Sequence, residues 1–498
     1  MSLKGPKYIL LLLAVALSLL PAVAQSPIKL SVMPQVKPDS LSLSLYSTTH
    51  PWRAAATVFG INMGLWGYDR FIQKGDFAYI SLHSIKENLT HGFKWDNDKL
   101  GTNMFLHPYH GNLYYNAARS NNFNYWRSGL YAIAGSAMWE LFMEREYPST
   151  NDIIATPIGG IAIGEVFYRV SDTMVDDRLT GWSRFEREAG VFIVSPMRGL
   201  TRLITGDAWR RRSVSGQRFG TPNVGLEFSL GARAIVFRQK NIKDTRSAAV
   251  LGFNMEYGDR FEVRSTAPYD YFTLKARLNV LNKQPFLSQL NISGRLLARE
   301  ILDDSVKHLS VGLFQHFDYY DSDTTSTHMA KCPYKLGVPA SLGVGLMFRH
   351  HRTNQVDFDG YLHANAIALG SILSDSDMVD ERNYTLAAGY SFKGGIDMVF
   401  SRDVLSISLS HEFYRLFTWK GYPRGTDLDK VDYRTLNVMG DKSTASFGVT
   451  ELMISLRVWK RLYFNMGVEH YFRTTHYHYH PNVRSGSFAE RFTVSWKL

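Results

Sequence analysis

From Val224 to Leu498 the chain keeps a two-residue period that only extended backbone can use. In Phe272-Thr273-Leu274-Lys275-Ala276-Arg277-Leu278-Asn279-Val280 every even position is apolar and every odd position is polar. Leu290 to Arg299, Leu405 to Phe413 and Leu462 to Arg473 repeat the pattern. A helix would scatter both sets around its circumference, whereas a strand gives each set one face of a sheet. About twelve such segments follow one another, which leaves a soluble sandwich or a membrane barrel.

Three features favour an antiparallel transmembrane β-barrel of about 12 strands. The segments are long, near the ~9–11 residues that cross a bilayer at a tilt. The polar face carries full charges, which suit a lumen and not the dry interior of a sandwich: Glu227, Arg233, Lys275, Arg277, Arg295, Arg299, Glu451, Arg457, Glu469 and Arg473. Connection lengths alternate, with short periplasmic turns and longer outer loops. The long ones are Asp321 to Lys335, Ser374 to Arg382, Lys420 to Lys442 and His476 to Ser487. The short ones are Asp303-Asp304, His350 to Asn354, Gly394-Gly395 and Trp459 to Arg461. The connections after the second and third strands break this rule, so the pattern admits about two strands more or fewer. The end of the chain, Phe492-Thr493-Val494-Ser495-Trp496-Lys497-Leu498, resembles the terminal strand read by outer-membrane assembly machinery, with Leu498 in place of the commoner aromatic residue. The lumen charges, mostly basic, either line an anion-attracting path or cross-pair to fill a closed interior. For so narrow a barrel the second is expected.

Residues 1–24 read as a secretory signal peptide: Lys4 and Lys7, the apolar run Ile9 to Leu20, and the small-residue site Ala22-Val23-Ala24 before Gln25. Losing those two lysines takes the formal charge from +11 to +9. The positive charges are dispersed, and the chain is exported. Both points exclude nucleic acid as the natural partner and favour anionic lipid or lipopolysaccharide. The single cysteine, Cys332, rules out an intrachain disulfide framework and a cysteine metal cluster.

Between a linker over residues 25–49 and a barrel over 222–498 lies a glycine-rich helical domain, residues 50–212. Pro51 to Ile72 carries Gly60 and Gly64, and a third helix beginning near Ser149-Thr150-Asn151-Asp152 carries Gly160 and Gly164. This small-xxx-small spacing lets helix backbones approach closely. Tyr125 to Glu146 forms another helix around Gly135-Ser136, and Ser195-Pro196 opens a short amphipathic one ending at Gly206. The apolar runs fall short of the ~18 residues of a spanning helix. A compact bundle at the periplasmic mouth is expected, with at most a segment entering the lumen.

His107-Pro108-Tyr109-His110-Gly111 is the candidate site. Glu140, Asp152 and Glu165 sit among apolar helical residues, where a carboxylate needs a partner. His107, His110 and Arg119 are the nearest suppliers. Either His and Glu converge on a metal or form an acid–base pair, or the same residues make a polar network that docks the helices. No firm metal motif is present, so the cofactor is unknown and the structural reading is preferred. Ser136 lacks a nucleophile elbow and reads as a helix contact. His476-Tyr477-His478-Tyr479-His480 would place three imidazoles on one face of an extended chain, able to hold a transition metal or simply to lie in a solvated outer loop.

His107 to Asn122, with Gly135-Ser136-Ala137-Met138-Trp139-Glu140, Asn151-Asp152-Ile153-Ile154 and Gly159 to Glu165, resembles the domain of unknown function 3943 family of Bacteroidota outer-membrane proteins. The likeness is most specific between Pro51 and Arg212. It implies an outer-membrane address and carries over no activity. Two functions follow: a structural or transport-related outer-membrane barrel with a helical domain, handled by the barrel-assembly machinery, or an outer-membrane enzyme acting on lipid or lipopolysaccharide through His110 and Glu140 or Glu165.

Overall fold

The structure is a computed structural model that describes residues 40–96, 98–239, 242–263, 267–280, 285–304, 306–322, 333–352, 356–377, 382–400, 403–428, 430–431 and 436–498. The signal-peptide residues and Cys332 lie outside the described residues. The chain divides into two compact units. Residues up to Asp96 group with Phe105–Asn223, and a short piece ending at Met104 groups with Val224–Leu498.

The second unit is a closed antiparallel barrel of 12 strands, each paired with its sequence neighbours, with β1 and β12 closing the sheet. The strands are β1 Val224–Gln239, β2 Ile242–Tyr257, β3 Phe272–Asn279, β4 Leu287–Asp303, β5 Lys307–Asp321, β6 Lys335–Arg352, β7 Val356–Leu373, β8 Tyr384–Phe400, β9 Leu405–Thr418, β10 Ser443–Trp459, β11 Leu462–Tyr477 and β12 Val483–Lys497. Closure runs from Glu227 opposite Lys497 to Arg238 opposite Gly486. The period-two pattern does what strand geometry requires. Leu452, Ile454, Leu456 and Val458 of β10, and Phe492, Val494 and Trp496 of β12, point out and are exposed, while Glu451, Arg491 and Ser495 point in and are buried.

Three sequence expectations need correction here. Gly394-Gly395 is not a turn but lies inside β8, opposite His411 and Ser410 of β9. A side chain at Gly395 would meet the Tyr361 ring at 2.5 Å, so this glycine admits a packed aromatic residue from β7. The connection after β11 spans only residues 478–482, because β11 runs on to Tyr477 and β12 begins at Val483. Arg299 does not face the lumen. The β4–β5 register slips between Arg295 and Leu297, and one extra residue flips the faces beyond it. Arg299 therefore shares the outer face with the exposed Leu297 and Ile301.

A short segment, Asp98–Met104, belongs to the barrel unit. Asn103 Nδ2 donates to Tyr384 Oη at 2.9 Å, and that hydroxyl donates to the Asp98 carbonyl at 2.5 Å. Met104 is fully buried, against Gly337 of β6. Tyr384 opens β8 and Gly337 lies near the start of β6, so this segment occupies the barrel end that bears the longer loops.

The first unit is helical: α1 Ser40–Ser44, α2 Pro51–Tyr68, α3 Leu82–His91, α4 His107–Arg119, α5 Tyr125–Phe142, α6 Asp152–Met174, α7 Gly181–Val194 and α8 Pro196–Thr205. The candidate stretch His107-Pro108-Tyr109-His110-Gly111 opens the helix α4, with Pro108 in its first turn, where proline removes no needed hydrogen bond. α4 and α6 cross with their backbones in contact. A Cβ on Gly160 would lie 2.4 Å from the Gly111 carbonyl carbon, and one on Gly111 would lie 1.7 Å from the Thr156 carbonyl oxygen. Gly164 makes room for the Tyr115 ring, and Gly135 of α5 for that of Tyr114. Gly60 and Gly64 of α2 behave differently: nothing lies within 4 Å of the space their side chains would fill. α6 is long and apolar enough to cross a membrane by length and composition, yet 72% of its apolar window is buried within the protein.

Candidate functional site

The five predicted residues all lie on α4, α5 and α6, but they form separate clusters along the seams between those helices. Glu165 projects from the middle of α6 toward α4. Its Oε2 accepts from Arg119 Nε and Tyr115 Oη, each at 2.7 Å. Its Oε1 accepts from the Arg119 NH2 group at 2.8 Å and from Arg169 Nε at 2.9 Å. All three charged groups are buried. Burial works against the ionised carboxyl, but the two guanidinium groups outweigh it and hold Glu165 below the ordinary carboxylate range. Arg119 also donates to the Phe123 carbonyl at 2.8 Å and lies over the Tyr168 ring, whose centroid is 4.6 Å away. Every acceptor direction of Glu165 is thereby committed to the protein.

His110 lies one α4 turn before Tyr114. The Tyr114 hydroxyl donates to Asn62 Oδ1 of α2 and stands 2.6 Å from His110 Nε2. A phenol has one proton to give, so Nε2 carries the hydrogen and donates to Tyr114. The ring packs edge-on against Trp139, 5.0 Å between centroids. Burial, reinforced by nearby His107, pushes its pKa down to about 3, so the imidazole stays neutral.

His107 and Asp152 meet across the N-terminal ends of α4 and α6, with Nε2 at 3.6 Å from Oδ1. Asp152 Oδ1 also accepts from Asn151 Nδ2 at 2.9 Å, and its backbone N–H donates to Ser149 Oγ at 3.1 Å. Glu140, buried on α5, accepts the Ser149 backbone N–H on Oε2 at 2.7 Å. Burial, with the charges of Glu144 and Asp152, raises its pKa well above the carboxylate range. Ser136 Oγ reaches the Asp152 carbonyl at 3.4 Å from the buried side of α5, as a helix contact does. The chemistry available is a neutral imidazole, a carboxyl with a raised pKa and an ionised carboxylate, each engaged with different partners. Among the described residues, no trio of His, Asp and Glu ligand atoms within 4.8 Å includes His110, Glu140, Asp152 or Glu165.

The helical unit does hold a cavity of about 410 Å³, and sequence reasoning missed it. Its wall includes Tyr46, Arg53, Tyr168, Asp177, Arg198, Arg202, Asp207 and Arg212. Asp177 binds Arg184 at 2.7 Å and Arg202 and Arg212 each at 2.6 Å, while Asp172 takes Arg198 at 2.5 Å. The acidic positions 172, 176 and 177, followed by arginines at 184, 198, 202 and 212, were the available signal.

In the barrel, the predicted lumen residues Arg277, Arg295, Arg457 and Glu469 share the inward face, and all but Arg457 are buried. Arg277 of β3 binds both Glu451 of β10 and Glu469 of β11. Arg233 of β1 reaches Glu469 at 3.0 Å, Arg491 of β12 reaches Glu451 at 2.7 Å, and Lys275 also pairs with Glu451. A second group joins Lys393 of β8 to Asp318 of β5 at 2.5 Å, and Tyr320 to Glu412 at 2.9 Å. Tyr334 stacks on Tyr471, 4.2 Å between centroids, beside Phe447 and Tyr414. Arg295 is held by Asp270 at 2.8 Å.

No curated protein matches the chain. Among solved structures, the barrel resembles the NanC porin at 10% identity and a TM-score of 0.26, covering 54% of this chain and 100% of that one. It also resembles the Pseudomonas putida toluene transporter TodX at 8% identity and 0.24, covering 56% and 90%. The outer-membrane channel DcaP of Acinetobacter baumannii matches at 7% and 0.22, covering 56% and 97%. Residues 92–197, which contain all five predicted residues, match the family model for the domain of unknown function DUF3943.

Proposed function

We propose that the protein is an outer-membrane barrel with a structural or transport-related role in the envelope, and that its barrel is closed at rest. The observation that carries this reading is the two-sided division of the strands. Arg233, Arg277, Glu451, Glu469 and Arg491 are paired inside, while Leu452, Ile454, Phe464, Met466, Phe492 and Val494 stand bare outside. Each such outer side chain is a third to a half exposed and gains roughly 0.5–1.5 kcal/mol on leaving water, which a lipid bilayer supplies. Lipid and lipopolysaccharide are therefore the proposed partners of the belt. The assembly machinery is the proposed partner of β12, whose Phe492, Val494 and Trp496 alternate on the lipid side. The commitment of Glu165 and His110 to internal partners favours this role over catalysis on lipid.

Planar-bilayer recording tests the closed state. Purified full-length protein should give no steady conductance, and a Glu451→Gln/Glu469→Gln double variant should leak. Steady ohmic conductance of the unaltered protein would overturn the closed-barrel reading. Recovery of the protein in the soluble periplasmic fraction would overturn the outer-membrane reading.

A further inference from the structure

The run His476 to His480 does not lay three imidazoles along one face. β11 ends at Tyr477 and the chain bends over the next residues. His476 and His478 are exposed, while His480 turns toward two aspartates of other loops. Its Nε2 lies 3.3 Å from Asp377 Oδ2 and 3.3 Å from Asp441 Oδ1. Asp377 belongs to the β7–β8 connection, Asp441 to the end of the β9–β10 connection and His480 to the β11–β12 connection. Antiparallel topology brings these three connections to the same end of the barrel.

The backbone around the cluster is fixed by specific bonds. Asp441 is almost fully buried, and its Oδ2 accepts from Ser374 Oγ at 2.6 Å and from the N–H groups of Ser376 and Asp377, each at 3.2 Å. Its Oδ1 is also buried and takes no hydrogen bond, facing His480. Gly440 sets the approach: its φ is +73°, and a Cβ there would lie 2.3 Å from the Tyr384 carbonyl oxygen. Asp375, two residues before Asp377, takes both terminal nitrogens of buried Arg473 at 2.6 Å and the Tyr477 hydroxyl at 2.6 Å. Beside the cluster is a cavity of about 320 Å³ whose wall includes Tyr422, Arg424, Lys442 and Tyr479.

We propose that Asp377, Asp441 and His480 form a binding site for a divalent transition-metal ion of the zinc class, with the cavity side open to water or a small anion. Two carboxylates and one imidazole are a donor set that zinc accepts in three-ligand sites. The spacing fits as well. A tetrahedral zinc ion with arms of about 2.0 Å holds its ligand atoms about 3.3 Å apart, the separation of Nε2 from both carboxylate oxygens. The three ligand atoms all lie within 4.8 Å of one another. A burial-enforced acceptor with no donor is the kind of atom a cation satisfies. Arg424 and Lys442 on the cavity wall would favour an anion on the open side of the metal.

The test is isothermal titration of zinc chloride into untagged, metal-stripped full-length protein in detergent, with folding checked by heat-modifiable gel mobility. One zinc per chain with micromolar or tighter affinity is expected. His480→Ala should weaken it by more than the about ten- to hundred-fold typical of losing an outer-shell partner. A His476→Ala/His478→Ala variant should bind as the unaltered protein does. Cobalt offers a second readout: a tetrahedral visible absorption band in the unaltered protein, absent in His480→Ala and in Asp441→Asn. Folded protein that takes up no zinc would overturn the proposal. Equal affinity in His480→Ala, or loss confined to the His476/His478 variant, overturns it too.

Discussion

Replacing Glu165 by Gln keeps the shape of the side chain and removes the carboxylate that Arg119 and Arg169 share. The native group accepts four hydrogen bonds, two from Arg119, one from Arg169 and one from Tyr115. A glutamine offers one oxygen, and in either orientation its amide N–H groups face a guanidinium N–H, donor against donor. Breaking a buried ion pair on one side costs about 3–5 kcal/mol, because the partner charge is left out of water without compensation. At about 1.4 kcal/mol per decade, that shifts the folding equilibrium by roughly two to three and a half decades. For a unit of this size each kcal/mol moves the midpoint by about 2–4 °C, so the loss is about 6–20 °C. Full-length protein in detergent, melted while following helical circular dichroism, reads the helical unit, and gel mobility reads the barrel separately. The pH dependence has a definite sign. Glu165 has a lowered folded-state pKa, so its contribution is complete above the ordinary carboxylate range and is lost as pH falls through the lowered value. The variant should lack that acid-side loss. A Glu165→Gln midpoint within about 2 °C of the unaltered protein would refute the claim that this charge holds α4 against α6.

Glu140 predicts the opposite slope: its pKa is raised, so its favourable contribution is complete below the ordinary carboxylate range and is lost as pH climbs toward the raised value. Glu140→Gln retains an acceptor for the Ser149 N–H and should flatten the dependence of the melting midpoint on pH above the ordinary carboxylate range. Two helical glycines should respond with opposite signs. Gly111→Ala forces a Cβ into the Thr156 carbonyl and should cost at least the upper end of about 1–3 kcal/mol, whereas Gly60→Ala enters open space and should gain about 0.5–1 kcal/mol in thermal melts. In the barrel, Arg295→Met should impair heat-resistant folding because Asp270 loses its partner, while Arg299→Ala on the outer face should leave it unchanged.

The barrel was legible because a period of two has one physical meaning, and strand after strand repeated it. What the pattern did not reveal were the slips. A single bulge between Arg295 and Leu297 moves Arg299 to the outer face, and no residue type announces that extra position. Gly394-Gly395 looked like a turn because glycine pairs usually mark one, but cross-strand packing of Tyr361 gives the pair another use. In the helical segment, the need of Glu165 for Arg119 could be argued from burial cost alone. The helix α4 could not, because its histidines and asparagines are weak helix formers, and its close packing on α6 at Gly111 and Gly160 is not visible in the local sequence. His480 was picked out with its neighbours, but Asp377 and Asp441 lie on loops remote in sequence, joined to it only by strand topology.

The charges inside the barrel support the proposed closed resting state. The first group sets Arg233, Lys275, Arg277 and Arg491 against Glu451 and Glu469, four cations to two carboxylates. An excess of one sign in a dry interior is tolerable only while each carboxylate serves several cations at once, as Glu451 and Glu469 do. Opening a path through this layer would separate Arg277 from both, and each one-sided rupture costs about 3–5 kcal/mol before water enters to compensate. Thermal motion alone would open it rarely. Passage of a solute would therefore require an anion able to replace the carboxylates as it moves, or a displacement of the segment Asp98–Met104 from Tyr384 and Gly337 at the long-loop end. On the proposed closed state, the barrel without either would conduct nothing, the behaviour expected of a support for the envelope and not of a standing pore.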